Sequence, residues 1–250
     1  MDPDFELMAK VRQIHSDTRS SYGSRRISGQ LRDDGYDVGR YRARTLMKKA
    51  GVSVKRRKKF KRTTDSNHKH PIAPNLLNRQ FDVERPNAAW CADITYLWTV
   101  QGWLYLAVVL DLYSRKVVGW ALSNRLTALV VKDALSMAYW RRKPEKGIIH
   151  HSDRGSQYAG GDYQKMLDQY GMICSMSRKG DCWDNAVVES FFHSLKTEWI
   201  ADIIYKTRDE ARADVINYIE MFYNSCRIHS FLGNTNPNSF ENNSSLTKVA

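Results

Sequence analysis

The sequence predicts an α/β protein: a mixed five-stranded sheet with flanking helices, preceded by a small all-α unit. Three observations carry that prediction. From residue 88 on, three runs rich in aromatic and β-branched side chains follow one another across short turns. Beyond them, apolar runs alternate between helix and strand length, whereas the first 54 residues hold only short segments of helical period. The first pattern makes an antiparallel meander, and the second adds parallel strands to the same sheet with helices on its faces.

Taking the elements in order, residues 4–16 (DFELMAKVRQIHS) are helical, with Phe5, Met8, Val11 and Ile14 spaced three apart along one side. SRRISGQLRDDG and GRYRARTLMKKAG read as two further short helices, stopped by Gly35 and Gly51. Two short helices on a tight turn make a helix-turn-helix, whose reading helix offers Arg40, Arg42, Arg44, Lys48 and Lys49 to DNA. A plain helix bundle with solvated basic residues is the alternative. The segment VKRRKKFKRTTDSNHKHPIAPNLLNRQFD then passes from a basic run into polar residues and prolines without an apolar period. The expected division is therefore a helix-turn-helix-like domain at 1–54, a basic linker at 55–82, and a sheet domain with a C-terminal helix at 83–250. The run Lys55–Arg62 reads as tracking a phosphate backbone, although an unstructured basic spacer has the same composition. His68 and His70 have no cysteine pair nearby to complete a zinc site and read as solvent-exposed.

The meander is AAWCADITYLWTV, a turn at Gln101-Gly102, WLYLAVVLDLY, a turn at Ser114-Arg115, and KVVGWALS. Trp90, Trp98, Trp103 and Trp120 read as core aromatics. TALVVKDALSMAYWRR is a helix, GIIHHSD a short strand, GGDYQKMLDQYG a helix and MICSMS a strand. Alternation sends one of His150 and His151 into the core. DCWDNAVVESFFHSLKTE begins an amphipathic helix capped by Asp184, with Val188, Phe192, Leu195 and Trp199 on its apolar stripe. The last helix, RDEARADVINYIEMFYNSC, buries Ala211, Val215, Tyr218, Ile219 and Phe222.

The net charge of +12 lies wholly in the first 80 residues, where 20 Lys and Arg face 8 Asp and Glu; the remainder holds 19 of each. Such an arm suits a polyanion, because each neutralised phosphate releases condensed counterions, although a solubilising tail has the same composition. No apolar run reaches the roughly 20 residues of a membrane span, since Asp111 interrupts WLYLAVVLDLY. The acidic start MDPDFELMAK lacks the features of a signal peptide, so a cytoplasmic, membrane-free chain is expected. Four cysteines without a CxxC pair suit reduced thiols better than disulfides or zinc.

Three acidic residues carry the chemistry. Asp93 lies mid-strand among apolar residues, where an unpaired charge is costly; Asp153 ends the fourth strand in HHSDRGSQY; Glu189 rises from the amphipathic helix, with 35 residues between it and Asp153. Singly, Asp153 has an ordinary turn aspartate as its alternative, and Glu189 reads as a solvated helix residue; their combined spacing reverses those readings. Asp111 competes with Asp93, but pairing with Arg115 would satisfy it. Carboxylates from three elements converge only if a cation offsets their repulsion, and hard oxygen ligands with open positions suit Mg²⁺, or Mn²⁺ as its substitute. Near the helix entrance, Arg178 and Lys179 offer a grip on a target strand.

The order β-β-β-α-β-α-β-α resembles the ribonuclease H-like fold. The motifs ADITYL, GWLYLAVVLDLYSRKVVGWALS, HHSDRGSQYA, SMSRKGDCWDNAVVESFFHSLKTE and YIEMFYNSCRIHSFLGNTNP closely resemble the transposases of the insertion-sequence-three family, second-reading-frame product, with an integrase-type catalytic core. As a set the motifs are specific and span nearly the whole chain. The resemblance implies cleavage of the ends of a mobile element and direct strand transfer by a 3′-hydroxyl. It implies Asp93 as a bridging metal ligand, with Asp153 and Glu189 completing one metal each, and two-metal chemistry at the scissile phosphate. Lys196 matches a basic position that contacts the DNA end, although a solvent-facing lysine fits too. His193 reads as surface. Further implied partners are the terminal inverted repeats, target DNA, a first-reading-frame protein or fusion with it, and further copies of the chain on DNA. The rivals are a retroviral-type integrase, whose zinc-binding arm is disfavoured by the absence of cysteine from the first 80 residues, a plain nuclease of the same fold, and a DNA-binding regulator or scaffold with an inactive fold, against which the presence of all three acids argues.

Overall fold

The computed structural model describes residues 4–54, 70–201 and 203–247. The basic run Lys55–Arg62 and His68 lie outside the described residues; His70 is exposed. The chain divides into two compact units, one of Met1–Phe60, His193–Ile203 and Ile228–Thr235, the other of Lys61–Phe192, Ile204–Arg227 and Asn236–Ala250. The second and third segments of the first unit come from the region expected to be sheet domain throughout.

In the first unit, α1 (Phe5–Asp17), α2 (Ser24–Asp33) and α3 (Arg40–Lys49) pack on one another. Their shared core is Leu7, Val11 and Ile14 from α1, Ile27 and Leu31 from α2, and Ala43, Leu46 and Met47 from α3. The expected α1 face is therefore corrected: Phe5 is exposed, because a three-residue step drifts around a helix of 3.6 residues per turn, whereas Leu7, Val11 and Ile14 stay in line. Gly35 and Gly51 follow α2 and α3 at φ +90° and +72°, a left-handed stop that costs glycine nothing.

The second unit is built on a five-stranded sheet in the order β3-β2-β1-β4-β5. Its strands are β1 (Ala89–Thr99), β2 (Gly102–Asp111), β3 (Val117–Ser123), β4 (Ile149–Ser152) and β5 (Ile173–Met176). The first three pair antiparallel; β4 pairs parallel to β1, and β5 parallel to β4. This is the expected meander with parallel additions. Helix α4 (Ala128–Arg142) covers one face, where Val130, Val131, Ala134, Leu135 and Ala138 meet Trp90, Ala92, Ala107, Val109 and Val118. The helix approaches so closely at Gly119 that a Cβ there would lie 2.2 Å from the Ala134 carbonyl oxygen. A one-turn helix α5 (Ser156–Ala159) and α6 (Gly161–Gln169) complete that layer. On the other side comes α8 (Arg208–Asn217), prolonged by a wider π-type turn at Tyr218–Tyr223, where the Phe191 ring of α7 (Ala186–Ser194) packs against Tyr218 and Tyr223; α7 too runs on into a π-type turn, at Leu195–Trp199. The expected stripes of both helices are buried, and a final helix α9 (Pro237–Thr247), absent from the sequence reading, closes the chain. Among the described residues no helix is long and apolar enough to cross a membrane.

Other expectations need correction. Both His150 and His151 are fully buried, because β4 is covered on both faces and alternation there selects between two interiors. Trp90 is core, but Trp98 and Trp103 are 56% and 42% exposed, packing edge to face with each other at the end of the β1–β2 hairpin. Asp111 pairs with Arg142 at 3.0 Å instead of Arg115. Arg115 sits at φ +60° in the β2–β3 turn, and its guanidinium goes to the Phe81 carbonyl at 3.0 Å.

Candidate active site

The parallel pairing of β1 with β4 runs from Ala89↔Ile149 to Ala92↔Ser152. One step further, with β4 ended and β1 continuing, the next residues on the two chains are Asp93 and Asp153. Adjacent strands lie about 4.8 Å apart, so the register alone sets these two carboxylate-bearing residues side by side at the carboxyl end of β4. This is also the step in the sheet between its antiparallel and parallel halves, the kind of position where open α/β sheets bind ligands. Alternation puts Asp93 on the β1 face opposite Trp90 and Ala92, away from the layer of α4.

Each carboxylate is half-buried and oriented by backbone. Asp93 Oδ1 accepts the Ile94 N–H at 2.7 Å, and Asp153 Oδ1 accepts the Gly155 N–H at 2.9 Å. Gly155 crowds that carboxylate: a Cβ there would lie 3.0 Å from Asp153 Oδ1. Burial, then Tyr163 and the Asp93 and Asp153 carboxylates, raise the Tyr158 hydroxyl well above its ordinary pKa, so both acids lie within electrostatic reach of one buried side chain.

The entrance to α7 is held by a cluster around Asp184, of which the sequence reading assigned only Arg178 to the site, as a DNA contact. Asp184 is not the helix cap; Asp181 is, accepting the Trp183 N–H at 3.2 Å in the short 3₁₀ turn Cys182–Asn185 that precedes α7. Asp184 is fully buried instead. It accepts the Arg178 backbone N–H at 2.9 Å, the Arg178 guanidinium at 2.6 and 2.9 Å, Arg79 Nε at 2.8 Å and Asn75 Nδ2 at 2.9 Å. Those bonds, led by Arg178, hold the carboxyl well below the usual aspartate range. The neighbouring Asn185 donates Nδ2 to the Ala92 carbonyl at 3.2 Å, which ties the helix entrance to β1 one residue before Asp93. Glu189 follows one turn later and is exposed. A pair of acids within six residues of Arg178 was the available signal for this clamp; its partners Asn75 and Arg79 lie about a hundred residues away and leave no local trace.

The structure thus brings Asp93 and Asp153 together and ties the Glu189 helix to the same strand. Among the described residues no group of three or more His, Cys, Asp or Glu side chains forms a metal-holding cluster. The donor chemistry at Asp93 and Asp153 nonetheless fits a hard divalent cation: two acids one step beyond the β1–β4 ladder, oxygen donors only, each steadied by an N–H. The expected DNA-contacting cations are distributed. On α3, Arg40, Arg42, Arg44, Lys48 and Lys49 are exposed, with Arg42 and Lys49 paired to Asp4 at 3.3 and 2.6 Å. Arg178 is committed to Asp184, while Lys179 and His193 are exposed and Lys196 is half-buried in the π turn after α7.

Comparison with known proteins agrees with this architecture. Residues 83–182 and 189–245 match two models described as integrase core domain, and residues 2–60 match an HTH-like domain. The uncharacterized 31 kDa protein of insertion element IS600 from Shigella sonnei is 45% identical over 237 residues, covering 95% of this chain and 87% of that protein. The InsF transposase for insertion sequence IS3A from Escherichia coli K12 is 46% identical over 225 residues, 90% of this chain and 78% of its own. Among solved structures, a chain of the simian T-cell lymphotropic virus intasome in complex with the PP2A regulatory subunit B56 gamma superposes with a TM-score of 0.50 at 17% identity, covering 88% of this chain and 70% of that one; at that identity the likeness speaks for the ribonuclease H-like fold alone. On the strength of the sequence relatives, the chain belongs to the family of insertion-sequence transposases of the IS3 type, with an integrase core domain.

Proposed function

We propose that the protein cuts DNA at the ends of an insertion sequence and joins them to target DNA, with Asp93, Asp153 and Glu189 as the catalytic and metal-binding residues. The observation that carries this reading is the β1–β4 register, which makes Asp93 and Asp153 neighbours where β4 ends. Asp93 and Asp153, joined by Glu189, would hold Mg²⁺, or Mn²⁺ in its place. The bound ion supplies Lewis-acid stabilisation of charge on phosphate oxygens and lowers the pKa of the attacking hydroxyl or water. The chain's own contribution is positional. The Ile94 and Gly155 N–H groups fix the orientation of two carboxylates, and the Asn185 and Asp184 bonds seat the helix that delivers the third. The exposed cations of α3, together with Lys179 and Lys196, would place the phosphate backbones of the element ends and target. Joining two ends to one target calls for more than one copy of the chain, and a first-reading-frame protein or fusion remains the implied accessory.

The test is joining of a labelled element end to a target duplex by purified protein in Mg²⁺. The reading expects joining by the wild type. It expects none, or at least a thousandfold less, from Asp93→Asn, Asp153→Asn and Glu189→Gln, with end binding retained. Normal joining by any of the three variants would remove that residue from the assignment. Binding without joining by the wild type, alone and with a first-frame partner, would favour the inactive scaffold.

A further inference from the structure

We propose that the helical unit contains a phosphate-binding pocket at the N-terminus of α2, and that its occupant is a backbone phosphate of DNA. The occupant's identity rests on the strand-transfer reading above; the pocket itself rests on its own chemistry. A cleft of about 620 Å³ is lined by Ser21, Ser24, Arg25, Arg26 and Arg40, with Glu198 as its carboxylate. Arg26 is committed to Glu198 at 3.0 Å, which leaves the exposed guanidinium groups of Arg25 and Arg40 as excess positive charge on the wall. The ten-residue α2 adds fixed donors. Its first intrahelical bond is Ile27 N–H to the Gly23 carbonyl at 3.0 Å, and Gly23, extended at the N-cap position, has no side chain to take the N–H groups of the helix's first turn. Such a terminus carries partial positive charge and binds anions.

A second observation, independent of the helix terminus, points to a ligand. Ser21 is only 8% exposed and lines the cleft, yet among the described residues its hydroxyl has no hydrogen-bond partner. Buried hydroxyls are almost always paired, and an oxyanion arriving in the cleft offers the missing acceptor. Two available guanidinium groups, a helix terminus and a hydroxyl donor match the several acceptor oxygens of a phosphate better than a carboxylate's two. The cleft is also far larger than one phosphate ion, as passage of a continuous backbone requires. In this arrangement Arg40, at the start of α3, positions the strand and carries no sequence information.

Fluorescence anisotropy of the full-length protein on an element-end duplex and on a scrambled duplex, between 50 and 200 mM salt, tests the pocket. Removing one phosphate contact should flatten the slope of log K against log salt by about 0.9. Arg25→Gln and Arg40→Gln should each do so and weaken both duplexes by the same factor. Ser21→Ala should weaken binding about three- to tenfold while leaving the thermal midpoint unchanged or higher, because it removes an unpaired buried group. Unaltered slopes in both arginine variants, with wild-type binding intact, would overturn the pocket. A lower midpoint with unchanged affinity in Ser21→Ala would show the hydroxyl to be structural and overturn its role. Inorganic phosphate shifting the Ser21, Ser24 and Arg25 amide resonances, with no variant affecting duplex binding, would overturn DNA as the occupant in favour of free phosphate. Wild-type protein that binds no duplex would sink the strand-transfer reading itself.

Discussion

Acidification should unfold this protein through the two histidines in the middle of β4. His151 Nδ1 lies 2.8 Å from Ser175 Oγ, and that oxygen already accepts the Leu76 and Leu77 N–H groups at 3.0 and 3.2 Å. The Ser175 hydroxyl proton is therefore directed at Nδ1, and the network assigns His151 as neutral, with its proton on Nε2 facing Ser177 Oγ at 3.1 Å. Burial, opposed by the nearby Asp184, lowers its pKa from 6.5 to about 4. Burial and the neighbouring His151 lower His150 from 6.5 to about 3; its Nε2 sits 3.0 Å from the Tyr163 hydroxyl. Between pH 6.5 and about 4 the unfolded chain thus binds two protons that the folded chain refuses, and stability must rise with pH across that window. At about 1.4 kcal/mol per pH unit per group, the pair contributes roughly 2.7 kcal/mol per unit. A domain stable by about 5–15 kcal/mol then loses much of its margin before pH 4. Urea unfolding of the sheet unit, followed by near-ultraviolet circular dichroism from pH 7 to 4.5, reads the slope directly. His150→Gln, which cannot ionise, should reduce it by about half. Stability that stays flat between pH 6.5 and 5, or a slope unchanged in the variant, would refute the reasoning.

Three further outcomes follow from packing and pairing. Gly119→Ala would place a methyl group 2.2 Å from the Ala134 carbonyl and 2.7 Å from the Ala138 Cβ, so α4 must shift off β3; a loss of about 1–3 kcal/mol or more is expected in the urea midpoint, and an unchanged midpoint would contradict that contact. Arg142→Leu would strip Asp111 and Glu241 of the guanidinium that bonds them at 3.0 and 2.8 Å, a change expected to cost about 3–5 kcal/mol because both acids are buried; a loss below 1 kcal/mol would show that water reaches them. Gly155→Ala presses on Asp153 Oδ1, so joining should fall at least tenfold with end binding and thermal midpoint nearly unchanged; wild-type joining rates would mean that the carboxylate has room to move.

Much of the sheet was legible because its strands announce themselves by composition and its turns by Gly102 and the Ser114-Arg115 pair, and the register then follows from which faces are buried. The neighbouring placement of Asp93 and Asp153 was legible for a related reason: Asp93 is conspicuous in an apolar strand, and Asp153 follows the end of another. Residues whose role depends on distant partners were not. Asp184 sits where a capping aspartate belongs, three residues after Asp181, and nothing local distinguishes the cap from the buried acceptor; only the folded chain brings Arg79, 105 positions away, to its carboxylate.

The failure at the histidines has a different cause, and it bears on the site. Alternation assumes that a strand has one wet face, and β4, between β1 and β5 with layers on both sides, has none. A four-residue strand that spends two positions on neutral, hydrogen-bonded imidazoles gains rigidity at a point where apolar side chains would give only packing: His151 grips β5 through Ser175 and the residue just past it, Ser177, which in turn accepts Arg154 Nε on its carbonyl at 2.6 Å. Asp153 lies between His151 and Arg154 in the chain, so both of its flanks are fastened to the end of β5. The carboxylate is held where β4 stops by bonds made on either side of it, which is how a residue outside the strand can keep the register of one within it.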